Sequence, residues 1–140
     1  MSPLFGTDVV LFSPMQGKLT YKGQPAANAK IVRHLTWKDE DGEKEIFFAN
    51  ENGEFSLPVK REKVRIPKLG EFNIIQEIWV YYDNQEFGIW GRAKEDLGEY
   101  GEFGGIPTNF RCELTDERVS LRQGHGLFRT SCKWDSIQKI

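Results

Sequence analysis

Apolar and polar positions alternate along most of the chain with a period of two, and no stretch repeats apolar residues every three and four positions over several capped turns. The pattern therefore predicts short strands and not helices. Val9 to Phe12 reads as a first strand and Lys18 to Tyr21 as a second, with Leu19 and Tyr21 on one face. Ile31, Arg33, Leu35 and Trp37 alternate with Val32, His34 and Thr36, a third run with one face buried along part of its length. Glu45 to Ala49 follows the turn Asp39-Glu40-Asp41-Gly42, and Phe55, Leu57 and Val59 alternate after Asn50-Glu51-Asn52-Gly53. Phe72, Ile74, Ile78, Val80 and Tyr82 share one parity, while Ile75, Trp79 and Tyr81 share the other. Such a run predicts a central strand covered at least in part on both faces. Phe87 to Trp90 pairs with it across Asp83-Asn84-Gln85, and Phe110 to Leu114 with Leu127 to Trp134 close the set.

Two charged connections separate these runs. KREKVRIPKLGE, from Lys60 to Glu71, is basic, carries Pro67 and Gly70, and reads as a loop with at most a short extended piece. AKEDLGEYGEFGGIP, from Ala93 to Pro107, is acidic, and its glycines forbid a long regular element. Eight or nine short strands with Gly, Asn, Asp and Pro between them predict an all-β fold. The expected form is an antiparallel β-sandwich of transthyretin-like or Ig-like type, in one domain spanning residues 1–140.

The segment GKLTYKGQPAANAKIVR, taken with FFANENGEFSLPV, resembles the carboxypeptidase regulatory-like or transthyretin-like β-sandwich family. Gly17 begins a strand, Gly23-Gln24-Pro25 forms the turn, Ala29 and Ile31 begin the next strand, and Asn50 to Phe55 stands for a D-x-x-G-x-F element with Asn50 in place of Asp. The resemblance covers roughly the first sixty residues and implies a fold, not a reaction. The full layout, from VVLFSPMQG through GEFGGIPTNF to CELTDE, is similar to a group of small bacterial proteins of unknown function, which implies a bacterial source.

Composition narrows the function classes. The formal net charge of -2 gives the whole molecule no electrostatic reason to seek nucleic acid or anionic lipid. The longest apolar runs fall far short of a membrane span. Two cysteines without CxxC spacing and two distant histidines do not make a zinc set, and no cofactor motif is present, so neither metal nor cofactor is expected. Cys112 and Cys132 permit one bridge. A fold-back at Arg122 to Gly126 would not set them opposite each other, so free thiols and a disulfide both stay open. The N-terminus lacks a secretory signal pattern, which points to the cytoplasm, or to the periplasm if the cysteines are bridged.

Cys132 with His125 is the nearest approach to a nucleophile and base, but no nucleophile-elbow signature accompanies them, so no enzyme is expected. The expectation is a protein-binding module, in its narrower form an immunity protein or adaptor facing a bacterial toxin or effector. Its surface combines Trp37, the basic Lys60, Arg61 and Lys63, and the acidic loop residues Glu95, Asp96, Glu99, Tyr100 and Phe103. The alternative is a carbohydrate-binding module using Trp37, Trp90 and Tyr100 as a platform for sugar rings.

Overall fold

In the computed structural model, which describes residues 6–37, 41–64, 73–96, 98–123 and 126–139, the chain is all β with no helix among those residues. The strands are β1 (Thr7–Phe12), β2 (Met15–Tyr21), β3 (Gln24–Pro25), β4 (Lys30–Thr36), β5 (Glu43–Phe48), β6 (Glu54–Leu57), β7 (Lys60–Val64) and β8 (Ile74–Tyr82). They continue as β9 (Gln85–Lys94), β10 (Ile106–Thr108), β11 (Arg111–Glu113), β12 (Val119–Gln123), β13 (Gly126–Thr130), β14 (Cys132–Lys133) and β15 (Ser136–Gln138). A six-stranded sheet has the order β12-β13-β9-β8-β4-β5. A five-stranded one runs β14-β11-β2-β3, with β6 also on β2. β1-β7 and β10-β15 form two-stranded ribbons, and every pairing is antiparallel except β11 with β2.

Alternation drives this architecture. Along β4, Ile31, Arg33 and Leu35 are buried while the residues between them are half-exposed or exposed. On β8, Ile74, Gln76, Ile78 and Val80 are buried. Both large sheets feed one hydrophobic cluster, with Leu19, Phe55, Leu57 and Cys112 from one and Ile31, Leu35, Ile78, Val80, Trp90 and Phe128 from the other. The β2-β3 turn consists of Lys22 and Gly23, both at positive φ, the pattern of a two-residue type I′ turn. The bend thus falls one residue before the expected Gly23-Gln24-Pro25, and Pro25 already sits in the ladder opposite Thr20. Gly53 has no room for a side chain, since a Cβ there would lie 2.4 Å from the Leu19 carbonyl oxygen.

Three expectations change. The structure has fifteen strands among the described residues, not eight or nine. The additional ones include β3, β10, β14 and β15, each of two or three residues, too short to show a period. Lys60 to Val64 is a strand and not a loop, because it finds an antiparallel partner in β1, with Val10 opposite Arg61 and Asp8 opposite Lys63. Cys112 and Cys132 do stand directly opposite each other, on β11 and β14, and are disulfide-bonded. The hairpin β12-β13 between them belongs to the other sheet, so the register of a simple fold-back does not apply. Asp39, Glu40, Arg65, Pro67, Lys68, Gly70, Phe72 and His125 lie outside the described residues.

Candidate functional site

Charged and polar side chains on the inward parity form a buried network beneath β1. Lys94 is fully buried, and its Nζ donates to the carbonyls of Val10 (2.9 Å), Asp96 (2.8 Å) and Gly98 (2.8 Å) while facing Asp96 Oδ2 at 3.3 Å. Glu102, also buried, accepts from the Ser13 amide (2.9 Å), Ser13 Oγ (2.6 Å) and Gln76 Nε2 (3.0 Å). Gln76 Oε1 in turn accepts from the Trp90 indole at 3.1 Å. The Tyr100 amide donates to Ser13 Oγ at 2.6 Å. These bonds strap the acidic connection onto β1. They satisfy a buried ammonium and a buried carboxylate that would otherwise each cost several kcal/mol, and so act as a structural clasp.

Arg33 and Arg92 complete the interior. Burial lowers the pKa of both guanidinia from the usual value. Glu45 opposes that shift at Arg33, and Glu102, Asp96 and Glu95 oppose it at Arg92. Arg33 Nε donates to Glu45 Oε1 at 3.0 Å, and its guanidinium lies over the rings of Phe12 and Phe47 at 5.0 and 5.1 Å.

Of the residues expected to bind a partner, Arg61, Glu99, Lys60 and Asp96 already form ion pairs within the chain. Arg61 on β7 pairs with Glu99, joining the basic strand to the acidic connection. Lys60 meets Glu43 at 3.2 Å and Glu62 at 3.7 Å, and the hydrogen bond to Glu43 raises its pKa. Asp96 is taken by Lys94, while Glu95 and Lys63 are exposed. Trp37 packs against the core and is half-buried, as is Tyr100. Phe103 is a correction. At 4% exposure it packs against Trp90 (5.3 Å between ring centroids), Phe110 (5.8 Å), Phe128 (5.9 Å) and Trp134 (4.9 Å). The neighbouring glycines let the chain turn an apolar ring inward, so Phe103 anchors the loop and is not offered to a partner. Trp90 is buried too, so Trp37, Trp90 and Tyr100 do not form a platform for sugar rings. The Cys132 sulfur is consumed in the disulfide, which removes the thiol that a pairing with His125 would need.

A different surface stands out on the outward parity of the six-stranded sheet. The pairing register places Phe48, Lys30, Tyr81 and Glu86 in one row across β5, β4, β8 and β9. Ile46, Val32, Trp79 and Gly88 form the next row, and Lys44, His34, Glu77, Gly91 and Arg129 the third. Phe48 is 65% exposed, Ile46 56%, Ile75 39% and Tyr81 38%. Phe48, Ile46 and Tyr81 join the half-buried Val32 and Trp79 in a contiguous apolar patch, while Ile75 lies beyond the charged third row. A shallow depression of about 390 Å³ spans parts of all three rows, from Lys30, Tyr81 and Glu86 across Val32, Ile46 and Trp79 to His34 and Lys44.

The Trp79 ring lies over Gly88, where an added Cβ would come within 3.0 and 3.1 Å of its ring carbons and 3.3 Å of Arg118 Nη1. A side chain there would push the indole off the sheet by a few tenths of an ångström. His34 is held between the Asp41 carbonyl (2.7 Å) and Glu77 Oε2 (3.4 Å). On this face the described cations Lys30, Lys44, Arg118, Arg122 and Arg129 outnumber Glu77 and Glu86, in a chain whose net charge is negative. The sequence carried the signal, since Glu45 to Ala49 and Ile74 to Tyr82 are apolar on both parities. That pattern reads equally well as a strand covered on both sides.

Among the described residues no group of three His, Cys, Asp or Glu side chains is placed to hold a metal ion, and no helix is long and apolar enough to cross a membrane. No match is found among curated proteins or solved structures. A family model described as "Domain of unknown function (DUF6795)" matches residues 15–117, from the first residue of β2 through β4, β5, β8 and β9 to just past β11, so the chain belongs to that family.

Proposed function

We propose that this chain is a non-catalytic protein-binding module that engages its partner through the outer face of the six-stranded sheet. The observation that carries the reading is an apolar patch on regular strands in which Ile46, Phe48 and Tyr81 are exposed and Val32 and Trp79 half-buried, outside the core cluster of the described residues. The acidic connection and β7 contribute less, because Arg61, Glu99, Lys60 and Asp96 already have partners. A carbohydrate platform built on Trp79 and Tyr81 is the second reading, favoured by the indole resting on Gly88. Ile46 and Phe48 weigh against it, since they offer sugar hydroxyls no hydrogen bond.

The narrower role of immunity protein or adaptor for a secreted toxin is supported only by the compact size, and predicts that the captured partner is a toxin or effector. The Cys112–Cys132 bond supports an oxidising compartment such as the periplasm. The proposal also takes the two larger sheets as the layers of a transthyretin-like sandwich, supported by the one core cluster to which both contribute.

The test compares immobilised wild-type chain with an I46D/F48D variant in extract of the source organism, alongside a glycan array. Both residues are exposed, so the variant's thermal unfolding should match that of the wild type. A protein held in stoichiometric amount by the wild type and lost from the variant supports the reading. Equal retention by both removes this surface, and array hits with no retained protein favour the carbohydrate reading.

A further inference from the structure

We infer that the partner presents to this face an acidic, extended segment of about four or five residues that crosses the strands over Trp79, with its carboxylates held by Lys30, Lys44 and Arg118. The inference rests on the protein-binding reading and names the chemistry of what that surface accepts. Its floor is the row Ile46, Val32, Trp79 and Gly88, in mutual register across β5, β4, β8 and β9. Four strands at about 4.8 Å spacing give a lane of about 14 Å, the span of about four or five extended residues. The lane's floor is uncharged, and its flanking rows carry Lys30 with Glu86 on one side and Lys44 with Glu77 on the other, the cations Lys30 and Lys44 lying nearer the β5 end. Lys30 lies in the row on one side, 5.4 Å from the Tyr81 ring centroid, and Lys44 in the row on the other. Arg118 closes the Gly88 end.

A segment mixing apolar and acidic side chains matches this layout, with apolar groups on the floor and carboxylates beside Lys30, Lys44 and Arg118. The face is cationic within a chain of net charge -2, so the attraction is local and directional. Single-stranded nucleic acid fits less well. Half the floor is aliphatic, through Ile46 and Val32, and presents one indole where successive bases would need successive rings.

The test is an NMR titration of the full chain with a short peptide of alternating glutamate and valine, its lysine-valine counterpart, and an oligothymidine. The glutamate peptide should shift the Trp79 indole and the amides of β4 and β5. Affinity should fall about tenfold in a K30E/K44E variant, which should instead gain the lysine peptide, an exchange that misfolding would not produce. No shift with the glutamate peptide, equal binding of both peptides, or tighter binding of oligothymidine overturns the inference. The two proposals fail separately. A captured partner lost from I46D/F48D but held undiminished by K30E/K44E ends the acidic-segment inference and leaves protein binding standing, whereas retention by I46D/F48D ends the reading beneath it.

Discussion

Glu113 offers the sharpest test of how this fold is held. Its carboxylate accepts from Thr20 Oγ1 (3.1 Å), the amides of Lys22 (3.1 Å), Gly23 (2.8 Å) and Thr115 (2.9 Å), and Thr115 Oγ1 (2.6 Å). One side chain thus ties the β2-β3 turn to the end of β11. Partial burial raises its pKa, but the bonds from Thr115, Gly23 and Lys22 outweigh that and bring it from 4.5 down to about 2. At about 1.4 kcal/mol per pKa unit, a dry carboxylate would stabilise the fold by about 3 kcal/mol; Glu113 is half-buried and screened by water, so the expected share is about 1–2 kcal/mol.

Because the folded pKa lies below the unfolded one, this stability is fully present above pH 4.5 and is lost as pH falls to about 2. E113Q replaces three accepting directions by an amide whose N–H faces other N–H groups. It should cost about 1–2 kcal/mol at neutral pH, a fall of about 3–8 °C in Tm for a chain of this size, and the gap to wild type should close between pH 4.5 and about 2. Urea unfolding followed by circular dichroism at several pH values reads both quantities. Parallel stability-pH curves for the two proteins would refute the assignment of the low pKa to this clasp.

Reducing the Cys112–Cys132 bond, which closes a loop of sequence separation 20, should lower stability by about 3 kcal/mol, checked by comparing unfolding with and without dithiothreitol. F103A removes a ring packed among Trp90, Phe110, Phe128 and Trp134 and should cost about 3–5 kcal/mol, while R61E at an exposed ion pair should cost under about 1 kcal/mol. Denaturation midpoints of the two variants separate a core anchor from a surface charge.

The strands β2, β4 and β6 were legible because hydrophobic burial on one face leaves a period of two in the residues themselves, whereas β1 and β8 were legible as short apolar runs. Arg33, Gln76, Arg92, Lys94 and Glu102 were not, since a charged or amide side chain on the inward parity reads as exposed until its partners are known. Key partners are distant in sequence, as with Glu102 and Ser13 or Lys94 and Val10. Phe103 misled for the related reason that a ring among glycines and acids has no periodic context. The patch around Ile46 and Trp79 was visible as apolar residues on both parities. Whether a second layer covers such a strand is a property of the packing and leaves no local trace in the sequence.

The Lys94 clasp settles how the molecule moves around any ligand. Lifting the start of the glycine-rich connection would draw the carbonyls of Asp96 and Gly98 away from a buried ammonium that Val10 also holds, so that part behaves as fixed wall despite its pliable composition. Encounter with the partner proposed for the opposite side of the sheet would then need no gate to open, and its speed would be set by diffusion and by shedding water from the indole.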